Sequence, residues 1–193
     1  MKKLILLSSF VLISFLCVNA QMKISPSVGI GIAVPTGSFA DNVGLGYGAS
    51  VGADFKIKPH IKPELIASLG YYMFSEKEQE YTNQLKTGGE YGFKTKANTF
   101  YIGAGAKYVT LSGFYGAAML SFHNFTNKVE FNYPDYLPLE DETISEDYTR
   151  LGITPIVGYQ FNLAAFKLEV FIRYSIISDY NNFGAGASLK FSL

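Results

Sequence analysis

The sequence predicts an all-β chain folded as an eight-stranded antiparallel up-and-down transmembrane β-barrel. Three observations predict it. Segments of strict period-two alternation recur along the chain, each with one apolar face and one small or polar face. The two long connections fall on the same end of the predicted barrel. Apolar-face aromatics gather near the strand ends, as two interfacial belts would require.

Residues Leu45–Ile57 state the template. Leu45, Tyr47, Ala49, Val51, Ala53, Phe55 and Ile57 alternate with Gly46, Gly48, Ser50, Gly52, Asp54 and Lys56. At roughly 3.3 Å per residue, such a strand is long enough to cross a bilayer at a tilt. A soluble barrel would need a charged outer face, and this second face is mostly glycine, serine and alanine. That composition suits a narrow lumen, so the apolar face is expected to meet lipid.

Residues 1–20 read as a secretory signal. Lys2 and Lys3 precede an apolar run from Leu4 to Val18, and Val18-Asn19-Ala20 resembles a cleavage site. The barrel domain is then 21–193. Cys17, the one cysteine, leaves with the signal, so no disulfide or thiol chemistry is expected. The 16 basic and 16 acidic residues fall to 14 and 16, which gives no electrostatic case for nucleic acid.

The eight strands follow in order. The first is Ile24–Val34, closed by Pro35-Thr36-Gly37-Ser38, and the second is the template. The third is Ile61–Phe74, with Leu65, Leu69 and Tyr71 on its apolar face. A polar stretch at 75–96 separates it from the fourth, Thr99–Val109. The fifth is Phe114–Phe122, followed by 124–149, whose second half is acidic. The sixth is Arg150–Phe161, in which Pro155 suggests a bulge or bend. The seventh is Phe166–Ile177 and the eighth is Phe183–Leu193. Connections three and five are long and would lie outside the cell. The even-numbered ones are tight and would face the periplasm, with both termini.

The signal, the eight amphipathic strands and the final Phe191-Ser192-Leu193 together resemble the small OmpA/OmpX-type outer-membrane barrels of Gram-negative bacteria. The resemblance spans the mature chain and is one of pattern and topology. It implies a monomer in outer-membrane lipid. It also implies a C-terminal strand, with Leu189, Phe191 and Leu193 on one face, read by the barrel-assembly machinery. The family usually ends in Phe, whereas Leu193 is last here, although the alternation is kept.

The lumen-facing charges are Asp54, Lys56, Glu64, Lys107, Lys167, Glu169, Arg173 and Lys190. Buried charges must pair or hold water, and Lys56 or Asp54 with Glu64, Glu64 with Lys107, and Glu169 with Lys190 are expected neighbours. They form either a structural polar plug or the gate of a narrow channel. A lipid A-modifying enzyme is the third reading, through Ser121, His123 and Glu130. Ser121 and His123 share the lumen face, away from a lipid substrate, and their order departs from that family's pattern. The reading is therefore non-enzymatic, with no cofactor and no metal: His60 and His123 alone make no evident site. The interaction candidates are Tyr81, Tyr91 and Phe93 in one long loop and Phe131, Tyr133 and Tyr136 in the other. Alternation at Val129–Tyr133 suggests that the fifth strand continues above the membrane and exposes an edge for partner binding or adhesion.

Overall fold

Eight antiparallel strands each pair with the next, and the last pairs with the first, closing a barrel. The structure, a computed structural model, describes residues 23–56, 63–81, 91–132 and 142–191. The strands are β1 (Lys23–Pro35), β2 (Val43–Lys56), β3 (Glu64–Tyr81), β4 (Tyr91–Val109), β5 (Phe114–Asn132), β6 (Glu142–Asn162), β7 (Lys167–Ile177) and β8 (Asn182–Lys190). One short helix, α1 (Phe39–Asn42), lies between β1 and β2. The signal read at 1–20 and the residues Ser192 and Leu193 lie outside the described residues.

The alternation places the apolar faces outward. Ile30 is 71 % exposed and Ile102 54 %, whereas Tyr101 and Ser121, on the other parity, are buried. Leu69, Leu120, Val157 and Ile172 continue the exposed apolar surface around the wall. A continuous apolar belt of this kind is costly in water and favourable in hydrocarbon. Closure gives every strand two neighbours, so the sheet has no open edge within the belt.

The middle strands are longer than the sequence predicts. Most of 75–96 and 124–149 is strand; the alternation at Val129–Tyr133 anticipates this for β5, which runs to Asn132, and the sequence reads the rest as loop. β3 and β4 stay paired up to Tyr81 and Tyr91, and β5 and β6 up to Phe131 and Glu142. The hydropathy signal fades there because neither face meets lipid, so alternation no longer sorts apolar from polar. β-Branched and aromatic residues such as Thr95, Val129, Ile144 and Thr149 keep the backbone extended. A register shift between Phe74 and Lys77 exchanges the faces of β3. After it, Lys77 turns inward and its Nζ donates to Ala40 O at 2.8 Å.

Pro155 makes no bulge. β6 keeps one register with β5 throughout and one register with β7 on both sides of the proline. Gln160 N donates to Gly113 O on the β5 side. Backbone groups alternate sides along a strand, so odd-numbered residues of β6 point the other way. The donor that Pro155 lacks is therefore one toward β7, where the rungs at 154 and 155 are skipped. β8 is described to Lys190, and the next residue, exposed Phe191, still donates from its N to Pro26 O of β1 at 2.9 Å; the expected end at Leu193 lies outside the described residues.

Ile172 lies at the middle of β7 and is 47 % exposed on the outer face. Ile172→Lys is expected to cost about 2–4 kcal/mol of folding free energy in bilayers, the midplane value for a lysine facing lipid. Urea titration of vesicle-inserted protein measures it, and an unchanged midpoint would mean that Ile172 does not face hydrocarbon.

Candidate functional site

The lumen is built in two layers. The layer at the end where β1 begins and β8 ends is ionic. Asp54 on β2 and Glu169 on β7 each form ion pairs with both Lys107 on β4 and Lys190 on β8. The two lysine nitrogens lie 3.0 Å from Glu169 Oε1, and both also reach Asp54 Oδ2. All four residues are buried. The Lys107 ammonium also lies 5.2 Å from the Tyr115 ring centroid. Each acid has two cations and each cation two acids, so this layer is electrically balanced. It joins four strands across the lumen.

The other sequence-predicted charges lie outside this square. Lys56 pairs with Glu64 at 2.9 Å, and both are more exposed. Glu64 stands opposite Lys107 in the β3–β4 ladder, but the expected Glu64–Lys107 pair does not form among the described residues. The Lys107 side chain runs to the lumen centre, where two carboxylates hold it. Lys167 is half-buried at the rung opposite Lys190. Arg173 takes no carboxylate among the described residues. Its guanidinium carbon lies 4.6 Å from the Tyr72 ring centroid and 5.7 Å from that of Tyr101.

The outer layer is a column of rings, which sequence reasoning did not single out. Tyr101 stacks on His123 at 5.5 Å, His123 on Phe125 at 5.9 Å, and Phe125 on Tyr180 at 4.1 Å. Phe39 of α1 meets Phe74, Phe125 and Tyr180 edge-on. The first and last outer turns are tied by Thr36 N donating to Asn181 O at 2.9 Å. The signal for part of this column is the size mismatch on the lumen face. A Cβ at Gly70 would lie 2.6 Å from the Tyr101 ring, and one at Gly48 2.7 Å from the Tyr72 ring. Glycine on one strand makes room for a ring on the next. Phe39 and Tyr180 come from connections whose sequence carries no such pattern.

His123 shares a 2.8 Å hydrogen bond with Ser121 through its Nε2, and both residues are buried in the lumen. Glu130, the third member of the hydrolase reading, lies farther along β5 and takes Lys96 at 3.3 Å. Lys96 also bonds Glu76 at 2.9 Å, and these two hydrogen bonds raise its pKa above the ordinary lysine value. The three residues do not converge on one site. Among the described residues, no group of three His, Cys, Asp or Glu side chains could hold a metal.

Above the column, α1, the outer parts of β4–β6 and the last turn enclose a bowl of about 460 Å³. Phe39 and Tyr180 line its aromatic side, with Thr95, Asn127 and Glu146 among its polar residues. Of the predicted loop aromatics, Tyr81 stands opposite Tyr91 and Phe93 opposite Phe131 in the extended ladders. Tyr133 and Tyr136 lie outside the described residues.

The ionic square makes a quantitative expectation. Asp54→Asn or Glu169→Gln leaves two buried lysines with half their compensation, and each is expected to destabilise the barrel by about 3–5 kcal/mol. The double variant should depart from the sum of the two, because both acids share the same partners. Equilibrium unfolding of the single and double variants checks this, and strict additivity would mean that the square does not act as a unit.

No family model matches the sequence, and no curated protein matches it. Solved structures do match its fold. Ail, the attachment invasion locus protein of Yersinia pestis, is 12% identical with a TM-score of 0.53, over 90% of this chain and 99% of that one. Ail in complex with the heparin analogue sucrose octasulfate aligns with a TM-score of 0.52, at 12% identity, over 89% of this chain and 99% of that one. A major outer membrane protein of Thermus thermophilus is 13% identical with a TM-score of 0.54, over 89% of this chain and 100% of that one. The chain therefore has the closed, eight-stranded, up-and-down barrel fold of the small outer-membrane proteins.

Proposed function

We propose that the protein is a non-enzymatic outer-membrane barrel that binds a protein partner at the cell surface through its protruding sheet. The observation that carries this reading is the free edge of β6. β7 stops pairing at Ile177, opposite Gly152, so residues 142–151 of β6 are paired only with β5. Beyond Phe122, β5 runs on to Asn132, roughly 30 Å along the strand. The outer parts of β3–β6 thus form a wall above the apolar belt, with an exposed strand at its end. An unpaired edge of this length is a template for strand addition, with affinity from main-chain hydrogen bonds.

Charge narrows the partner. From 124 to 149 the chain is acidic, with Lys128 as its one cation. Ail has been crystallised with sucrose octasulfate, a polyanion. This acidic hairpin disfavours a polyanion and favours an extended segment carrying Lys or Arg. Ser145 and Asp147 are odd-numbered residues of β6, so their N–H groups point to the free edge and not to β5. Ser145→Pro and Asp147→Pro remove edge donors while leaving the barrel ladders intact. Each is expected to fold and insert like the parent but to lose surface binding in a pull-down from solubilised host-surface proteins. Undiminished capture of the same partner by both variants would count against edge pairing.

A narrow channel is the second reading, favoured by the polar cavity beside the ionic square. The aromatic column argues against open conduction. Planar-bilayer recording of the folded, inserted chain is expected to be silent, and discrete salt-dependent steps would reverse the order of the two readings.

A further inference from the structure

We propose that the lumen cavity beside Arg173 is a binding site for a small inorganic anion, with chloride the ion it would hold. The argument starts from charge balance. Between the aromatic column and the periplasmic mouth, the enclosed carboxylates are Asp54 and Glu169 and the enclosed cations are Lys107, Lys190 and Arg173. The square of two acids and two lysines is neutral by itself, which leaves the guanidinium of Arg173 as one uncompensated positive charge. In a narrow, partly dehydrated lumen that charge interacts far more strongly with an anion than it would in water.

The geometry keeps this cation available. The guanidinium lies over the rings of Tyr72 and Tyr101, which attract it through their π faces without neutralising its charge. Among the described residues, Arg173 makes no ion pair and donates no hydrogen bond. An arginine carries five N–H donors in a fixed fork, and here they border a cavity. That cavity, about 100 Å³, is lined by Arg173 with Ser27, Ser50, Ser68 and Ser188, and on its other side by the two acids and two lysines of the square, whose charges cancel. The Ser68 hydroxyl donates to Val51 O at 3.4 Å, whereas the hydroxyls of Ser27, Ser50 and Ser188 can turn their protons toward an anion, so the lining supplies neutral donors around a cationic one. Ser68 also sits 3.2 Å from the Tyr101 hydroxyl, which links the serine lining to the ring that holds the arginine. A halide of this size fits the volume, whereas a lipid headgroup or a polyanion does not.

The test is the linewidth of the chloride-35 NMR signal with the full mature chain folded in uncharged detergent micelles and a halide-free buffer, titrated with sodium chloride. The parent is expected to broaden the signal beyond empty micelles. Arg173→Met should remove that broadening, with strand content and heat-modifiable electrophoretic mobility as the check that it has folded. Ser50→Leu fills the cavity while keeping the arginine, and it should remove the broadening as well. It also serves if Arg173→Met does not fold. Broadening no greater than that of empty micelles overturns the proposal, as does broadening that survives in the folded variants, since exposed lysines would then be the source.

Discussion

An eight-stranded barrel encloses a space only as wide as the side chains that fill it. Every residue pointing inward is therefore set by the residue it meets across the lumen or on the next strand. At the end where β1 begins and β8 ends this constraint is electrostatic. Asp54, Lys107, Glu169 and Lys190 come from four strands and share their hydrogen bonds, so no one of them is compensated without the others. At the outer end the constraint is volume. Tyr72 and Tyr101 fill the lumen because glycines at 48 and 70 leave room for the rings beside them.

The two layers together close the lumen and leave the outer surface as the place where the chain can differ from a plain barrel. β7 and β8 end near the apolar belt. The strands β3 to β6 do not, and their continuation lifts a sheet edge clear of the bilayer. That asymmetry follows from register: β7 turns back at Ile177, and β6, with no neighbour beyond that rung, goes on alone on one side. α1 and the last turn then seal the space beneath the wall, with Phe39 buried among Phe74, Phe125 and Tyr180.

Much of the lumen could be read from parity. Parity alone places Asp54, Lys107, Glu169, Arg173 and Lys190 on the inner face, because on a strand facing is a matter of odd or even position. Their partners were less legible. Register brings Glu64 opposite Lys107, yet Lys107 reaches past it to Asp54 and Glu169, since a long side chain in a narrow tube meets the far wall as readily as the near one. The outer parts of β3, β4 and β6 are less legible for a related reason: hydropathy reports which medium a face meets, and away from the apolar belt both faces lose that contrast. The extension of β5 is legible, because alternation returns at Val129–Tyr133, and the strand runs to Asn132.

The class of the fold, the number of strands and the face that each presents outward were all legible in the chain before folding. All three follow from period-two alternation, a property of neighbouring residues. Folding in three dimensions settled the rest: which charges share bonds, that Arg173 is held by rings and not by an acid, that Phe39 and Tyr180 cap the lumen, and that β6 has an unpaired edge. Each of these depends on contacts between strands distant in sequence, fixed by closure, register and the width of the barrel, which no local pattern encodes.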